Sequence, residues 1–440
     1  ILLDCGIHQG GDGVDRITKE QFKFAPASID AVVLSHAHLD HSGLLPKLVH
    51  EGFKGKIYCT HGTHKLLKIL LEDAVHIYLK DLEYENLRRE RAGKKPLFPQ
   101  YTLDDVQTVL NLCCALDYHQ AHIFLEKFTL TFYDAGHILG SSIVQLVLND
   151  NHNAKTLVFS GDLGNPDTSL MRNFDFIDNA DVVLMESTYG DRDHRCFAET
   201  LDEFKAILKQ AEQDGGNILI PAFAVGRTQE LLFHLGKMYH EGLLDHWHIF
   251  LDSPMAKAVT NVYSDCIKQL DKEDVAFITA HQGEDISSFL PNLTISESVE
   301  DSAAINNIKT GAIIIAGSGM CTGGRIRHHF KHRLWHTNTH VVFVGFQARG
   351  TLGRILVDGV KHVKLFGLPI LVKAQIHTLG GFSAHAGQKE LLAWAKNFKT
   401  QPRFYLVHGE AKTMEKLSEK LAQELGINAE IPAQLSQIMF

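Results

Sequence analysis

The chain has 440 residues, 45% hydrophobic and 22% charged, enough for two to three ordinary domains with ample cores. No apolar run approaches the roughly 18 residues of a membrane span and no signal-peptide pattern is visible. Seven cysteines, of which only Cys113 and Cys114 are close in sequence, form neither a zinc knuckle nor a disulfide framework, so a reducing cytoplasm and no membrane partner are expected. A net charge of −9 argues against a general nucleic-acid binder, because neutralising phosphates requires Lys and Arg.

In chain order, Leu2-Leu3-Asp4-Cys5-Gly6 reads as a strand that runs into a carboxylate. Next, the apolar run Ala31-Val32-Val33-Leu34 leads into Ser35-His36-Ala37-His38-Leu39-Asp40-His41. Three imidazoles and a carboxylate packed this closely are costly unless something binds them, and neutral imidazole and carboxylate are the donors that zinc takes in catalytic sites. A lone histidine is usually a satisfied core residue, but here a purely structural reading must explain four coincidences at once. A helix is expected from about Thr63 to Arg91, packed through Leu66, Leu67, Ile69, Leu70, Val75, Ile77 and Leu79.

Further ligand-type residues sit at the ends of strand-like runs. His137 lies in Asp134-Ala135-Gly136-His137-Ile138-Leu139-Gly140, where the glycines allow a tight turn. Asp162 follows Thr156-Leu157-Val158-Phe159-Ser160-Gly161, Glu186 follows Asp181-Val182-Val183-Leu184-Met185, and His408 follows Arg403-Phe404-Tyr405-Leu406-Val407. Each alone is a turn or strand-end polar residue. Together they converge, because open α/β sheets place their sites at the carboxyl ends of strands.

After Glu186 the pattern shifts to α/β alternation. Asn217-Ile218-Leu219-Ile220-Pro221, Ala312-Ile313-Ile314-Ile315-Ala316 and Val341-Val342-Phe343-Val344 read as parallel strands buried on both faces, with a helix at Thr228–Phe233. From Arg325 to Lys373 there are nine basic residues against one acid, Asp358. A solvated face is the usual meaning of a charge run, but glycine-rich turns interrupt this one, which favours a phosphate-facing surface. After Lys373 the chain is expected to return to the first domain, bringing His408 back to the histidine loop. A final helix carries the core stripe Met414, Leu417, Leu421 and Leu425.

His36-Ala37-His38-Leu39-Asp40-His41, followed by His137 and Asp162 and preceded by Asp4, resembles the motif series of the metallo-β-lactamase superfamily. Within it the chain resembles the β-CASP nucleases, whose added motifs match Glu186 in Glu-Ser-Thr-Tyr-Gly, His385 in Gly-Phe-Ser-Ala-His-Ala and His408 in Val-His-Gly-Glu. The resemblance extends through the segments 220–227, 252–255, 317–325 and 345–354. It implies an αββα metallo-β-lactamase sandwich with an inserted α/β β-CASP domain, divided as 1–187, 188–374 and 375–440. It also implies that further strands precede Ile1 in related enzymes.

By this resemblance one zinc takes His36, His38 and His137, and a second takes Asp40, His41 and His408. Asp162 bridges them and a hydroxide is shared between them, with manganese as the alternative metal. Asp4 orients a ligand imidazole from behind. His385 is the general acid for the leaving 3′-oxygen, and Glu186 holds its ring. Ser318, Gly319, Arg325, Arg349 and Ser383 are candidate phosphate contacts, the first three because a glycine-rich loop before a helix can present backbone N–H groups to an anion. The implied activity is hydrolysis of single-stranded RNA, endonucleolytic rather than 5′→3′ exonucleolytic. DNA is less favoured, because the DNA-repair subgroup typically has valine where this chain has His408. A small-molecule hydrolase lacks the long insertion and the His385 motif, and a non-catalytic paralogue loses metal ligands. A homodimer is implied by the family alone.

Overall fold

The computed structural model describes every residue except 9–16, 18–19, 150–153 and 439–440. The chain divides into two compact units. The first comprises Ile1–Gly164, Asn173–Arg192 and His385–Phe440, and the second Asn165–Arg172 and Asp193–Ala384.

The first unit has two sheets. One contains β1 (Leu2–Leu3), β2 (Ala31–Val33), β3 (Lys56–Thr60) and β4 (Cys113–Leu116), in that order and all parallel. The other contains β5 (His122–Phe124), β6 (Phe128–Asp134), β7 (Ser142–Leu148), β8 (Lys155–Phe159), β9 (Val182–Met185) and the last strand of the chain, β18 (Arg403–Leu406), in the order β18-β9-β8-β7-β6-β5.

Strand periodicity sorts side chains between three apolar layers. Ala31 and Val33 point into a cluster with Leu130, Phe132, Val144 and Leu146 from the other sheet. Val32 and Leu34 point the opposite way, into Leu45, Leu48, Leu67, Leu71 and Val109. These belong to the helices Leu45–His50, His61–Arg91 and Leu103–Leu112. On the far side, Val158, Val183 and Met185 pack against Leu391, Trp394, Leu417 and Leu421 of the C-terminal helices. The result is helix, sheet, sheet, helix, the αββα sandwich. The long helix begins two residues before the expected Thr63, because the Thr60 hydroxyl accepts from Thr63 N and caps it.

The second unit holds a six-stranded parallel sheet. Its strands are β10 (Asn217–Pro221), β11 (His248–Leu251), β12 (Leu293–Ile295), β13 (Ala312–Ala316), β14 (Thr339–Phe343) and β17 (Gln375–Thr378), in the order β12-β11-β13-β10-β14-β17. β10, β13 and β14 are buried at every position, as expected for central strands covered by helices on both faces. β15 (His362–Leu365) and β16 (Leu368–Leu371) form a separate antiparallel hairpin. Residues 375–384, assigned from the sequence to the first domain, lie in the second unit because β17 pairs with β14 as an edge strand. Among the described residues no helix is long and apolar enough to cross a membrane.

Candidate metal centre

Every ligand-type residue singled out in the first unit follows the carboxyl end of a strand or a turn next to one. β8, β9 and β18 are parallel neighbours, so Asp162, Glu186 and His408 emerge side by side. β1 is parallel to β2 with Leu3 opposite Val33, which sets Asp4 against the start of the histidine loop. Asp4 and His408 both have positive φ, 56° and 51°, a region that Asp and His tolerate better than most residues but still at a cost. Gly161 has φ +55°, and a Cβ there would lie 2.9 Å from Ser142 O and from Ser35 Cβ. A Cβ at Gly6 would meet Asp40 O at 1.6 Å. These two glycines let the loops close.

The donor atoms converge. His36 Nε2 and His137 Nε2 lie 3.1 and 3.3 Å from His38 Nδ1, and 3.5 and 3.7 Å from Asp162 Oδ2. Donors about 2.0–2.1 Å from a tetrahedral cation stand about 3.3–3.4 Å apart, so four side chains already hold that spacing. On the other side of Asp162, His41 Nε2 is 3.3 Å from Oδ2 and His408 Nδ1 is 3.1 Å from Oδ1. Asp40 Oδ2 is 3.8 Å from His408 Nε2. His41 Nε2 and Asp162 Oδ1 are buried and make no hydrogen bond. Lone pairs aimed at one another without donors between them suit divalent cations, and the residues fit such groups.

The charges agree with this. Burial, reinforced by His41, pushes His36 well below its ordinary value, and burial likewise lowers His38. Both rings are neutral and ligand-competent. Burial would raise Asp162, yet His41, His408 and His36 hold it well below the carboxylate range. Burial would lower His408, but Asp162 and Asp40 push it up to about 9. His41 is driven well above its ordinary value by Asp162 and Asp4 against the effect of burial. The carboxylates draw positive charge onto these two rings, a role that bound cations fulfil when they take the lone pairs instead.

The support behind the donors is specific. Asp4 Oδ2 accepts from His41 Nδ1 at 2.6 Å, which turns His41 Nε2 toward Asp162. Asp4 is itself held by Ser35 N and Ser35 Oγ, each at 2.7 Å. The Ser35 hydroxyl also lies 3.1 Å from His36 Nδ1. Thr188 Oγ1 is 3.3 Å from His408 Nδ1. Sequence reasoning missed Ser35 and Thr188, although Ser35 directly precedes His36 and Thr188 stands in the same motif as Glu186.

Glu186 is fully buried. Its Oε1 accepts from Leu163 N at 2.6 Å and its Oε2 from Thr188 N at 3.2 Å. His385 Nδ1 lies 3.5 Å from Glu186 Oε1 and 3.9 Å from Asp162 Oδ2, and its ring centroid is 4.5 Å from that of His137. Burial opposes protonation of His385, but Glu186 and Asp162 together raise it.

The other predicted contacts lie in the second unit. The Ser318 hydroxyl accepts from Gly323 N at 3.2 Å, closing its own loop. Gly319 packs beneath the Phe223 ring, since a Cβ there would come within 2.7 Å of it. Arg325 donates to the buried Asp252 at 2.7 Å, a partner not anticipated. Arg349 is exposed, and Ser383 O accepts from Asn165 Nδ2 at 3.2 Å.

An αββα sandwich with this donor set, carrying a separate parallel-sheet unit after Glu186, defines a protein class, and the matches agree. The Metallo-beta-lactamase superfamily domain covers residues 1–187, the Beta-Casp domain 228–356, and the Zn-dependent metallo-hydrolase RNA specificity domain 369–432. The chain belongs to the β-CASP family of the metallo-β-lactamase superfamily. It is 39% identical over 423 residues to Ribonuclease TTHA0252 of Thermus thermophilus, covering 96% of this chain and 90% of that protein. Transcription termination factor FttA of Thermococcus kodakarensis is 32% identical over 93% of this chain and 62% of its own length. The FttA of Methanothermobacter thermautotrophicus is 30% identical over 100% of this chain and 68% of its own length.

Proposed function

We propose that this chain is a zinc-dependent ribonuclease that hydrolyses phosphodiester bonds of single-stranded RNA endonucleolytically in the cytoplasm, with manganese able to replace zinc. The observation that carries the reading is the convergence of seven ligand-type side chains with a histidine–glutamate pair set against them. The 39% identity to a protein named a ribonuclease supports RNA as the substrate.

In this reading His36, His38 and His137 would hold one cation and Asp40, His41 and His408 a second, with Asp162 available to both. Bound there, divalent cations would supply Lewis acidity toward water and the scissile phosphate. The protein's own groups do the rest. Asp40 and Asp162 bring negative charge that keeps the cations in place. Glu186 accepts two backbone N–H groups, which fixes its carboxylate and favours an orienting role over ligation. It faces His385 Nδ1, so the opposite ring edge, Nε2, delivers the proton to the departing 3′-oxygen. Asp4 and Ser35 hold the His41 and His36 rings. Arg349 and Ser383 are the retained phosphate contacts. Ser318, Gly319 and Arg325 shape the glycine-rich loop, because their polar groups are already committed within it or to Asp252.

The test is incubation of a uniformly labelled single-stranded RNA and its DNA counterpart with zinc- or manganese-loaded protein. Internal fragments from RNA alone are expected. Mononucleotides would replace the endonuclease by an exonuclease. Cutting of DNA alone would overturn the assignment of substrate.

A further inference from the structure

The basic segment noted in the sequence is not absorbed by the metal centre. It folds into the helix Ile326–Arg333 and the β15–β16 hairpin of the second unit. Ile326, Phe330 and Leu334 on the buried side of the helix share a core with Val363 and Leu365 of β15. Period-two alternation then turns His362 and Lys364 outward. On the helix, Arg327, His328, Lys331 and His332 occupy the side away from that core, and Trp335 follows one turn later, 50% exposed.

Helix and hairpin tip meet in a cationic, aromatic contact. The Arg327 guanidinium lies 5.0 Å from the Phe366 ring centroid, and the His328 ring is 4.5 Å from it at 30°. Phe366 still leaves 47% of its surface open. Between Ile326 and Ala374 the single carboxylate is Asp358, which pairs with Arg354. Among the described residues, none of Lys331, Lys361, Lys364 and Lys373 has an ion-pair partner. Cations without counter-charges, interleaved with exposed aromatic rings, match the two needs of single-stranded nucleic acid, phosphate neutralisation and base stacking.

We propose that this face, built on Arg327, Lys331, Trp335, Lys364 and Phe366, is a secondary track that holds single-stranded RNA beyond the nucleotides being cleaved. It rests on the ribonuclease reading and adds a second contact that sets preference for long RNA. A second copy of the chain is the poorer occupant. An isologous contact would bring these cations against their own like, and the outward hairpin face is broken by Lys364.

The test compares an unstructured RNA of about 25 nucleotides with one of about six, short enough for a single binding site. Affinity is read by anisotropy in a His385→Ala background, so that the RNA survives the titration. Lys331→Gln/Lys364→Gln is expected to weaken binding of the long RNA about tenfold or more, and to lower the slope of log affinity against log salt by about 1.4. Phe366→Ala should cost about tenfold on the same RNA, and Lys331→Arg/Lys364→Arg should restore the affinity. With His385 intact, cleavage of the short RNA should be unchanged by any of these. Long-RNA affinity within twofold of the parent, an equal loss on the short RNA, or a changed oligomeric mass in place of an affinity change would overturn the proposal. Failure of the parent to cut either RNA would instead defeat the ribonuclease reading, while the affinity comparison still decides the track.

Discussion

Two buried clusters of carboxylate and imidazole, one in each unit, are made of the same groups and differ in how many of their atoms are left over. In the second unit, Asp252 Oδ1 accepts from Arg325 at 2.7 Å, and its Oδ2 accepts from His329 Nε2 and Ser302 Oγ, each at 2.7 Å. The carboxylate is fully buried; burial would raise its pKa, but His329, Ser302 and Arg325 hold it down. That cluster is self-sufficient, with only His329 Nδ1 left without a hydrogen bond. In the first unit, five imidazoles and two carboxylates face inward at 3.1–3.8 Å, and His41 Nε2 and Asp162 Oδ1 are left without a hydrogen bond. A satisfied cluster stabilises the fold, whereas one with surplus lone pairs is shaped for a ligand.

The contrast gives predictions that separate stability from activity. Asp162→Asn, at the centre of the surplus cluster, should reduce RNA cleavage on the order of 10³-fold or more and lower bound metal measured by plasma spectrometry. Asp252→Asn should do the reverse. Removing one member of a buried pair costs about 3 kcal/mol, read as a shifted denaturant midpoint, while metal content is kept. A metal loss in that variant would break the comparison.

Asp4→Asn sharpens it, since Asp4 acts only through His41 and Ser35. Metal affinity should fall about 10- to 100-fold with the fold intact, measured by competition with a chelating dye. The smallest effect concerns His234, which lies among Phe197, Phe233 and Phe382. Burial, with Lys237 and Arg227, pushes its pKa from 6.5 down to about 3. Between those values the unfolded chain binds the extra proton, so stability falls as pH falls below about 6.5. At pH 5 the loss is about 2 kcal/mol. His234→Phe should remove that portion of the acid sensitivity, read as the difference between the two proteins' denaturation midpoints at pH 7 and pH 5.

The clustering of the donor side chains was legible because its chemistry is written locally. His36, His38, Asp40 and His41 are adjacent in sequence, and Asp162, Glu186 and His408 each end an apolar run whose strand character is plain. Parallel pairing of β8, β9 and β18 does the rest. What escaped depends on contacts between distant segments. Asp252 and His329 are 77 positions apart, and nothing in either neighbourhood marks the pairing. Gln375–Thr378 looks like the start of the returning domain and becomes a sheet edge only because β14 has an open side. The β15–β16 hairpin is too short and too mixed in character to announce itself. Its alternation is seen only once Val363 and Leu365 find the helix core.

The claim that matters most is that His385 works beside the cations rather than as one of their ligands. The most direct measurement is metal content and RNA cleavage of His385→Ala, with the unaltered protein alongside. Two metals per chain in both proteins, with cleavage lost in the variant about 10²- to 10⁴-fold, is the predicted result. A variant that no longer holds its metals would place His385 in the ligand shell, and an unaltered protein holding less than one metal per chain would contradict the account at its root.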